Sequence, residues 1–375
     1  MAKKILIATH SQDYHALAVA EALRRRGIEP LLWYTTDYPA RSVESVDFSE
    51  GASTVTIEGP EMDFAGPRPD VVWYRRVGHV LQTGSVHPAD LEFAMLQCAR
   101  FRSGLFRMVS PGAFWVNPPE AVERTEQKIF QHQAAVESGL VMPPTLYSND
   151  PARIRAFLAR HGGVAVYKPI APRTWRDRET KWIPYTSLVS GERLVADELL
   201  RAAPGIYQAL VPKAYELRVT FMGRRAFAAK VLSQETETGK LDWRTAYHEL
   251  RMEPYDLPAP VTATCLALLD RLGLAFGCFD FIVTPDGRYV FLEVNQAGQW
   301  LFVENYTHMP LLDAFVEFLV QGRLDFDWRE RDVRIRLGDV DAAVREVMRK
   351  NLDVHVDEPD GSVREEPQEA VAGAA

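Results

Sequence analysis

The chain has 375 residues, a formal net charge of -8 and a hydrophobic fraction of 47%. A chain of this length exceeds the usual size of one hydrophobic core, so we expect two or three packed subdomains. The negative charge argues against a general nucleic-acid partner, because contacts to phosphates supply most of that affinity. The longest apolar runs, 4–9 and 71–74, fall far short of the roughly 20 residues that a membrane helix needs, so no membrane partner is expected.

The cysteines and the N-terminal sequence predict a cytoplasmic protein. Cys98, Cys265 and Cys278 are far apart and show neither metal-finger spacing nor a redox pair, which fits a reducing compartment. The N-terminal MAKK leads directly into a short strand-like run and lacks the apolar core of a secretory signal.

The N-terminal pattern predicts a βαβ unit. Residues 3–9 form a buried strand, 16–26 an amphipathic helix stopped by Gly27, and 29–35 a second strand. The turn after the first strand has no G-x-G-x-x-G, so a dinucleotide site there has little support.

A further strand, 71–74, ends at Arg75 and Arg76. Ligands of α/β sheets gather at the carboxyl ends of strands, so these arginines could hold a substrate carboxylate bidentately. A surface ion pair is the alternative.

The pattern changes near residue 116, where we place the main domain boundary. A single helix is predicted over 120–138, closed by Gly139. The predicted domains are 1–115, then 116–325 with a lid lobe over roughly 145–206, then 326–375 as a C-terminal helix and a disordered acidic tail.

The pattern from residue 151 onwards predicts strands, three helices and a polar loop. A strand over 164–169 delivers Lys168 and leads into a loop over 170–184 that is rich in Arg and Trp. The other predicted elements are helices 151–160, 261–272 and 340–351, and strands 207–211, 216–221, 226–232, 278–283 and 289–294.

The hairpin FDFIVTPDGRYVFLEVN brings three oxygen-bearing side chains together. Residues two apart share one face of a strand, so Glu293 and Asn295 point the same way. Asp280 lies opposite Glu293 if the turn contains an even number of loop residues, and a three-residue loop would break that register. Two carboxylates and an amide in this arrangement suit Mg²⁺, and an exposed polar hairpin face is the alternative.

Positive side chains should complement this acidic hairpin if the ligand is a nucleotide. Lys128, Lys168 and Arg218 are the candidates, and Lys168 is the strongest because a lysine seldom ends a buried apolar strand. The P-loop signature and the kinase catalytic-loop signature are both absent from the sequence.

Taken in order, these elements resemble the ATP-grasp fold. The segments IPYTSLVS, VPKAYELRV, VLSQETETGKLDWR and EVNQAGQW are similar to those of the graspetide, or microviridin-type, ribosomal peptide maturases. The resemblance runs from about 116 to 320 and is looser over the N-terminal domain. It implies an α/β fold in which a Rossmann-like pre-ATP-grasp domain precedes a two-lobed ATP-grasp domain with an antiparallel sheet.

The resemblance also implies ATP and Mg²⁺ as cofactors and assigns a role to each site residue. Lys128 and Lys168 would hold phosphates, the backbone of Ala209, Leu210 and Val211 would meet adenine, and Glu216 would take the ribose. Asp280, Glu293 and Asn295 would bind Mg²⁺, while Arg218 and Arg244 would be catalytic and Asp242 would face the substrate. Arg75 and Arg76 are candidates for the substrate only from their place at the end of a strand.

The activity implied is ATP-dependent activation of Asp or Glu side chains in a ribosomal precursor peptide as acyl phosphates. A Ser/Thr hydroxyl or a Lys amine then closes an ester or an amide crosslink. The leader of that peptide would contact Ser233–Tyr255, unless its polar run 234–244 is a solvated hairpin tip. Related enzymes commonly dimerise, which makes a homodimer an expected state.

Two other functions are compatible with the sequence. A ligase of the same fold could join free amino acids or a small-molecule acid and amine, without a leader peptide. A non-catalytic peptide-binding module could keep the fold without turnover, but the intact charge cluster of Lys168, Asp280, Glu293 and Asn295 argues against it.

Overall fold

The computed structural model describes residues 3–49, 51–65, 68–78, 86–171, 175–177, 180–182, 186–246 and 249–356. The disordered tail was predicted over 353–375, but its first residues are ordered, because a helix runs to Val354 and His355 is buried. The rest of that tail and much of the predicted loop 170–184 lie outside the described residues. No helix in the described part of the chain is long and apolar enough to cross a membrane.

The strands and helices have the following bounds. The strands are β1 (Ile5–Thr9), β2 (Leu31–Tyr34), β3 (Val43–Ser49), β4 (Ala52–Gly59), β5 (Met62–Phe64), β6 (Val71–Tyr74), β7 (Phe114–Val116), β8 (Thr145–Ser148), β9 (Val164–Lys168), β10 (Trp175–Asp177), β11 (Thr180–Trp182), β12 (Ser187–Ser190), β13 (Gly205–Ala209), β14 (Tyr215–Met222), β15 (Arg225–Val231), β16 (Met252–Tyr255), β17 (Phe276–Val283) and β18 (Tyr289–Asn295). The helices are α1 (Tyr14–Arg25), α2 (Leu91–Val109), α3 (Pro119–Glu126), α4 (Lys128–Glu137), α5 (Pro151–Arg160), α6 (Asp197–Ala202), α7 (Ala259–Leu272), α8 (Leu301–Thr307), α9 (Leu311–Gln321) and α10 (Leu337–Val354).

The N-terminal part contains a parallel sheet in the order β2-β1-β6-β7, which confirms the predicted βαβ unit. Asp13 caps α1 by accepting hydrogen bonds from the N–H groups of His15 and Ala16. Gly27 follows the helix with φ of 75°, a conformation that favours glycine. A three-stranded antiparallel sheet, β3-β4-β5, and helix α2 complete this part and were not predicted.

Two larger antiparallel sheets follow, besides the two-stranded pair of β10 and β11. The lid sheet has the order β12-β9-β13-β8, and α5 packs Ile154, Phe157 and Leu158 into its core. The central sheet has the order β16-β15-β14-β17-β18. One face of the central sheet shares a hydrophobic core with α4 and α7. Aromatic side chains on β14, β17 and β18 fill that core. The strands that carry the candidate site are therefore held in place by close packing on this face.

The C-terminal helices pack on the N-terminal part. One hydrophobic cluster joins apolar residues of α1, β1 and β6 with α8, α9, α10 and the other face of the central sheet. Hydrogen bonds add to this packing, because Gln12 Nε2 donates to the Met348 carbonyl and Tyr14 donates to Asp341. The predicted C-terminal helix is present, and it shares a core with residues that we assigned to the first domain.

The prediction of one helix over 120–138 is wrong. The structure breaks it into α3 and α4 at Gln127, whose φ of -72° and ψ of 92° are not helical. The break lets α4 approach the edge of β18, where Gln131 Nε2 donates to the Val294 carbonyl at 2.9 Å and Gln131 Oε1 accepts from the Val294 N–H at 3.0 Å. A tertiary contact therefore takes precedence over the continuous helical pattern.

Candidate active site

The centre of the candidate site is a pair of opposed carboxylates on β17 and β18. Asp280 pairs directly with Glu293, as predicted. We predicted this pairing on the condition that the loop contains an even number of residues. The loop 284–288 has an odd number, so that condition is wrong. A β-bulge restores the register, because Phe281 pairs with Phe291 and leaves Leu292 as the extra residue.

Each carboxylate has a basic partner. Arg218 Nη1 donates to both carboxylate oxygens of Asp280, at 3.0 and 2.9 Å, and Lys128 Nζ lies 2.6 Å from Glu293 Oε2. Burial raises the pKa of Asp280, and the neighbouring charge of Glu293 raises it further. The Lys128 ammonium instead holds the pKa of Glu293 well below its usual range. The four groups lie side by side, with the two adjacent carboxylates of β17 and β18 between the basic side chains of β14 and α4.

The third predicted metal ligand, Asn295, lies at the end of β18 and is exposed. Its Oδ1 accepts a hydrogen bond from the Ala297 N–H at 3.0 Å. Among the described residues, no three or more His, Cys, Asp or Glu side chains are grouped so that they could hold a metal ion. The predicted ligand set has two carboxylates and one amide. These hard oxygen donors fit Mg²⁺ if phosphate oxygens of the substrate complete its coordination.

Two more basic side chains lie within electrostatic range of Glu293. Lys168 ends β9 of the lid sheet, and burial lowers its pKa although Glu293 acts in the opposite direction. Arg244 is held by Asp242, with its Nε and Nη2 2.8 and 2.5 Å from the two carboxylate oxygens. The Asp242 hydrogen bonds raise the pKa of Arg244, and Glu293 and Asp280 add to that effect. A lysine from the lid sheet and an arginine from a 3₁₀ turn therefore add positive charge near the acidic pair.

The predicted nucleotide-binding segment connects the lid sheet to the central sheet. Ala209 is the last residue of β13, Leu210 and Val211 follow it, and Leu210 is half exposed. Glu216 lies near the start of β14, where Lys213 Nζ donates to its Oε1 at 3.1 Å and burial raises its pKa. The backbone and the carboxylate assigned to adenine and ribose are thus adjacent along the chain at the junction of the two sheets.

Arg75 lies away from the cleft surface. Its Nε is 2.7 Å from Asp13 Oδ2, and its side chain is 0% exposed. A substrate carboxylate cannot reach the Arg75 guanidinium there. The alternative prediction, that Arg75 forms an ion pair, is correct, but the pair is buried and not on the surface. Arg76 is partly exposed.

The polar run 234–244 is not a hairpin tip, although several of its side chains are exposed. The described residues of the segment 233–255 fold into three 3₁₀ turns followed by β16. Trp243 is buried, with its ring centroid 5.7 Å from that of Phe302. The segment is therefore an ordered part of the fold that carries Asp242 and Arg244.

Three polar side chains that sequence reasoning missed hold the end of β18 and the loop after it. They are His15, Asn117 and Gln131, all buried. Asn117 follows directly after β7, and its Nδ2 donates to the carbonyls of Phe276 and Gln296 at 3.0 Å each. A polar residue at the carboxyl end of a parallel strand was the available signal for Asn117.

Comparison with known proteins gives consistent matches. Residues 4–123 match a family model described as the MvdD pre-ATP grasp domain. A RiPP-associated ATP-grasp ligase from Chryseobacterium gregarium, solved with ADP and a leader and core peptide, is 26% identical over 89% of this chain and 100% of its own, with a TM-score of 0.77. A search of curated proteins gave no match.

Two macrocyclases from Microcystis aeruginosa MRC are also similar. MdnC, solved with the precursor peptide MdnA, is 29% identical over 85% of this chain and 99% of its own, with a TM-score of 0.75. MdnB has the same identity and coverage and a TM-score of 0.71. The predicted ATP-grasp fold and the resemblance to graspetide-type ligases are confirmed.

Proposed function

We propose that this chain is an ATP-dependent ligase of the graspetide type, which activates Asp or Glu side chains of a ribosomal precursor peptide and closes ester or amide crosslinks. ATP and Mg²⁺ are its cofactors. Two similar proteins, from Chryseobacterium gregarium and Microcystis aeruginosa, were solved with their peptides, and the first also with ADP. This chain aligns with nearly the whole length of both, so the proposal covers the complete ligase fold.

The charge cluster is the observation that carries this proposal. Asp280 and Glu293 oppose each other, and Arg218 and Lys128 neutralise them. Holding two carboxylates together in a partly buried place is costly unless cations are near them, so such a cluster indicates a site that handles charge. Magnesium, when bound by Asp280, Glu293 and Asn295, would neutralise the phosphate groups of ATP.

The side chains of this chain can perform the transfer as follows. Lys128 and Lys168 bind phosphate oxygens, and Glu216 accepts hydrogen bonds from the ribose hydroxyls. A substrate carboxylate attacks the γ-phosphoryl group in line, and ADP leaves. Arg218 stabilises the negative charge that develops on the transferred group. A hydroxyl or amine then attacks the acyl carbon, loses its proton and displaces phosphate.

The substrate side of the cleft has the charge that an acidic peptide requires. The Arg244 side chain is 56% exposed, while Asp242 fixes its guanidinium in place. A guanidinium fixed in this way pairs well with the Asp and Glu side chains of a core peptide. Ser233–Tyr255 is the proposed leader contact, and a leader bound there would raise the effective concentration of the core at the site.

The test is to incubate the purified protein with ATP, Mg²⁺ and a synthetic precursor peptide and to follow the peptide by mass spectrometry. We expect one water to be lost for each bond, with one ADP released per bond. A core peptide without its leader should react more slowly, and Glu293→Gln protein controls for contaminating activity. ADP release with free amino acids but no loss of water from the peptide would instead support the small-molecule ligase.

The homodimer expected from the resemblance stays a prediction. Sedimentation of the purified chain, with and without the precursor peptide, measures its mass in solution. A mass equal to one chain under both conditions would contradict the dimer.

A further inference from the structure

The guanidinium of Arg218 is oriented from two sides. Asp280 accepts from Nη1, and the Gln299 carbonyl accepts from Nη2 at 2.5 Å. Gln299 belongs to the loop 296–300, which connects β18 to α8. A Cβ atom added at Gly298 would lie 2.9 Å from Arg218 Nη2, so the loop is in close contact with the guanidinium. The position of this loop therefore decides the direction in which Arg218 points.

A histidine from the other end of the chain holds the loop. His15, in the first turn of α1, accepts hydrogen bonds at Nε2 from the N–H groups of Trp300, at 3.0 Å, and Leu301, at 3.1 Å. These two donors are at the start of α8, where backbone N–H groups have no partner inside the helix. The His15 and Trp300 rings are also in edge contact, with centroids 5.7 Å apart.

This arrangement requires the neutral form of His15. A ring nitrogen that accepts hydrogen bonds carries no proton, so the proton of the neutral ring is on Nδ1. Burial lowers the pKa of His15 well below its ordinary value, and the charge of Arg75 lowers it further. The ring is therefore a permanent acceptor over the physiological pH range.

Asp13 connects His15 to a second contact with the loop. It accepts from the His15 N–H at 3.1 Å and from Arg75 Nε at 2.7 Å. Arg75 Nη1 in turn donates to the Gly298 carbonyl at 3.4 Å. The start of α1 and the end of β6 thus hold the loop at two points, and both belong to the N-terminal part of the chain.

We propose that His15 is a positioning residue for phosphoryl transfer: it seats the loop 296–300 so that the Gln299 carbonyl holds Arg218 in its working orientation. The inference rests on the proposed function, in which Arg218 stabilises the transferred group. Misplacing a catalytic group by an ångström can cost about 100-fold in rate. The N-terminal part of the chain therefore contributes to the chemical step without touching the substrate.

The test compares three substitutions of His15. His15→Phe keeps the size of a buried ring but removes the acceptor, so kcat for ADP release with the precursor should fall about 10- to 100-fold. The KM values for ATP and peptide should change by less than about 3-fold, because binding groups are untouched. His15→Gln places an oxygen close to the position of Nε2 and should recover most of kcat, whereas the shorter His15→Asn should not.

His355→Phe is the matched control. His355 is also buried, and its Nδ1 lies 2.7 Å from Asp37 Oδ2, a contact that does not involve the loop. This variant should lose thermal stability and keep the kcat of the wild type per folded molecule. A His15→Phe protein that behaves like this control would overturn the proposal, because the role of His15 would then be structural only.

A structural measurement separates this inference from the proposed function. In a crystal structure of His15→Phe, or of His15→Asn if the first variant does not fold, the Gln299 carbonyl should have left Arg218 Nη2. An unchanged hydrogen bond would overturn the positioning role even if kcat had fallen. If the wild-type protein crosslinks no peptide, the proposed function fails, while the crystal structure still decides whether His15 seats the loop.

Discussion

Asp280 and Glu293 face each other across β17 and β18 because Leu292 is an extra residue in β18. Without this bulge, the odd number of residues in the loop 284–288 would place the two carboxylates on opposite faces of the sheet. The bulge therefore creates the acidic pair to which Lys128 and Arg218 bind. Bulges of this kind often redirect a side chain next to an active site.

Replacing Glu293 by Gln should end crosslinking and leave the binding of the precursor intact. The amide keeps the size of the side chain but removes the charge that pairs with Lys128 and that a divalent cation requires. Several kcal/mol of lost charge stabilisation corresponds to a rate loss of about 100-fold or more. Steady-state ADP release and the calorimetric affinity for the peptide measure the two properties.

Glu21→Gln is the matched control for Glu293→Gln, because it breaks an ion pair with Arg25 on the surface of α1. It should leave both properties unchanged. If Glu293→Gln does not fold while the control does, the carboxylate is structural.

Replacing Arg218 by Lys should slow phosphoryl transfer although the positive charge remains. A lysine cannot bind both oxygens of Asp280 and also reach the Gln299 carbonyl. We expect kcat to fall about 100-fold, the usual loss when one preorganised donor is removed. Arg218→Ala should be at least as slow in single-turnover assays of ADP formation. Turnover equal to the wild type in both variants would remove Arg218 from the site.

Local pattern was enough to predict many of the strands and helices that surround the site, but not β16, α8 or the break between α3 and α4. The bounds of β6 and α5 agree with the prediction to the residue, and the pairing of Asp280 with Glu293 was correct. Alternation contains only the fact that Glu293 and Asn295 share a face, because the period of a strand is fixed. The pairing of Asp280 with Glu293 depends on the bulge at Leu292.

The contacts that hold the site together were not predictable in this way. His15 and Trp300 are separated by 285 residues and Gln131 and Val294 by 163, so no local spacing relates them. The bulge at Leu292 and the break at Gln127 also have no local signal in the sequence. Neither position contains a glycine or proline that would mark it. In each case the packing of distant elements determines the local conformation.

Replacing Glu44 by Gln should change how the stability of the protein depends on pH. Burial raises the pKa of Glu44 from 4.5 to about 7, and the Arg102 guanidinium and a hydrogen bond from Trp33 offset only part of that effect. Arg102 Nε is 3.9 Å from the carboxylate, too far for a hydrogen bond. Because the folded pKa lies above the unfolded one, the contribution of Glu44 is fully present below pH 4.5 and is lost as the pH rises to about 7.

The amide in Glu44→Gln cannot ionise, so the variant avoids this loss. Chemical denaturation should find it more stable than the wild type at about pH 8, by up to about 3 kcal/mol, and similar to it at low pH. Glu58→Gln, at an exposed position of the same small sheet, should show no such difference. Parallel pH profiles for Glu44→Gln and the wild type would contradict the prediction.

Replacing Gln131 by Leu should both destabilise the protein and weaken the binding of ATP. The amide of Gln131 bonds to the N–H and the carbonyl of Val294, as a neighbouring strand would, and also donates to the Thr125 carbonyl. A leucine leaves these buried groups without partners, at a cost of about 2–4 kcal/mol. Lys128 is on the same helix, so its contact with Glu293 should loosen and kcat/KM for ATP should fall.

Gln133→Leu separates this effect from a general change in helix α4. Gln133 is exposed on the same helix and donates only to Glu137 among the described residues, so its loss should cost less than about 0.5 kcal/mol. Urea denaturation gives the stability of both variants, and initial rates at varied ATP give kcat/KM. If Gln131→Leu loses stability but keeps the wild-type kcat/KM, then α4 does not depend on β18 to place Lys128, and the lysine reaches Glu293 through the packing of α3 and α7 alone.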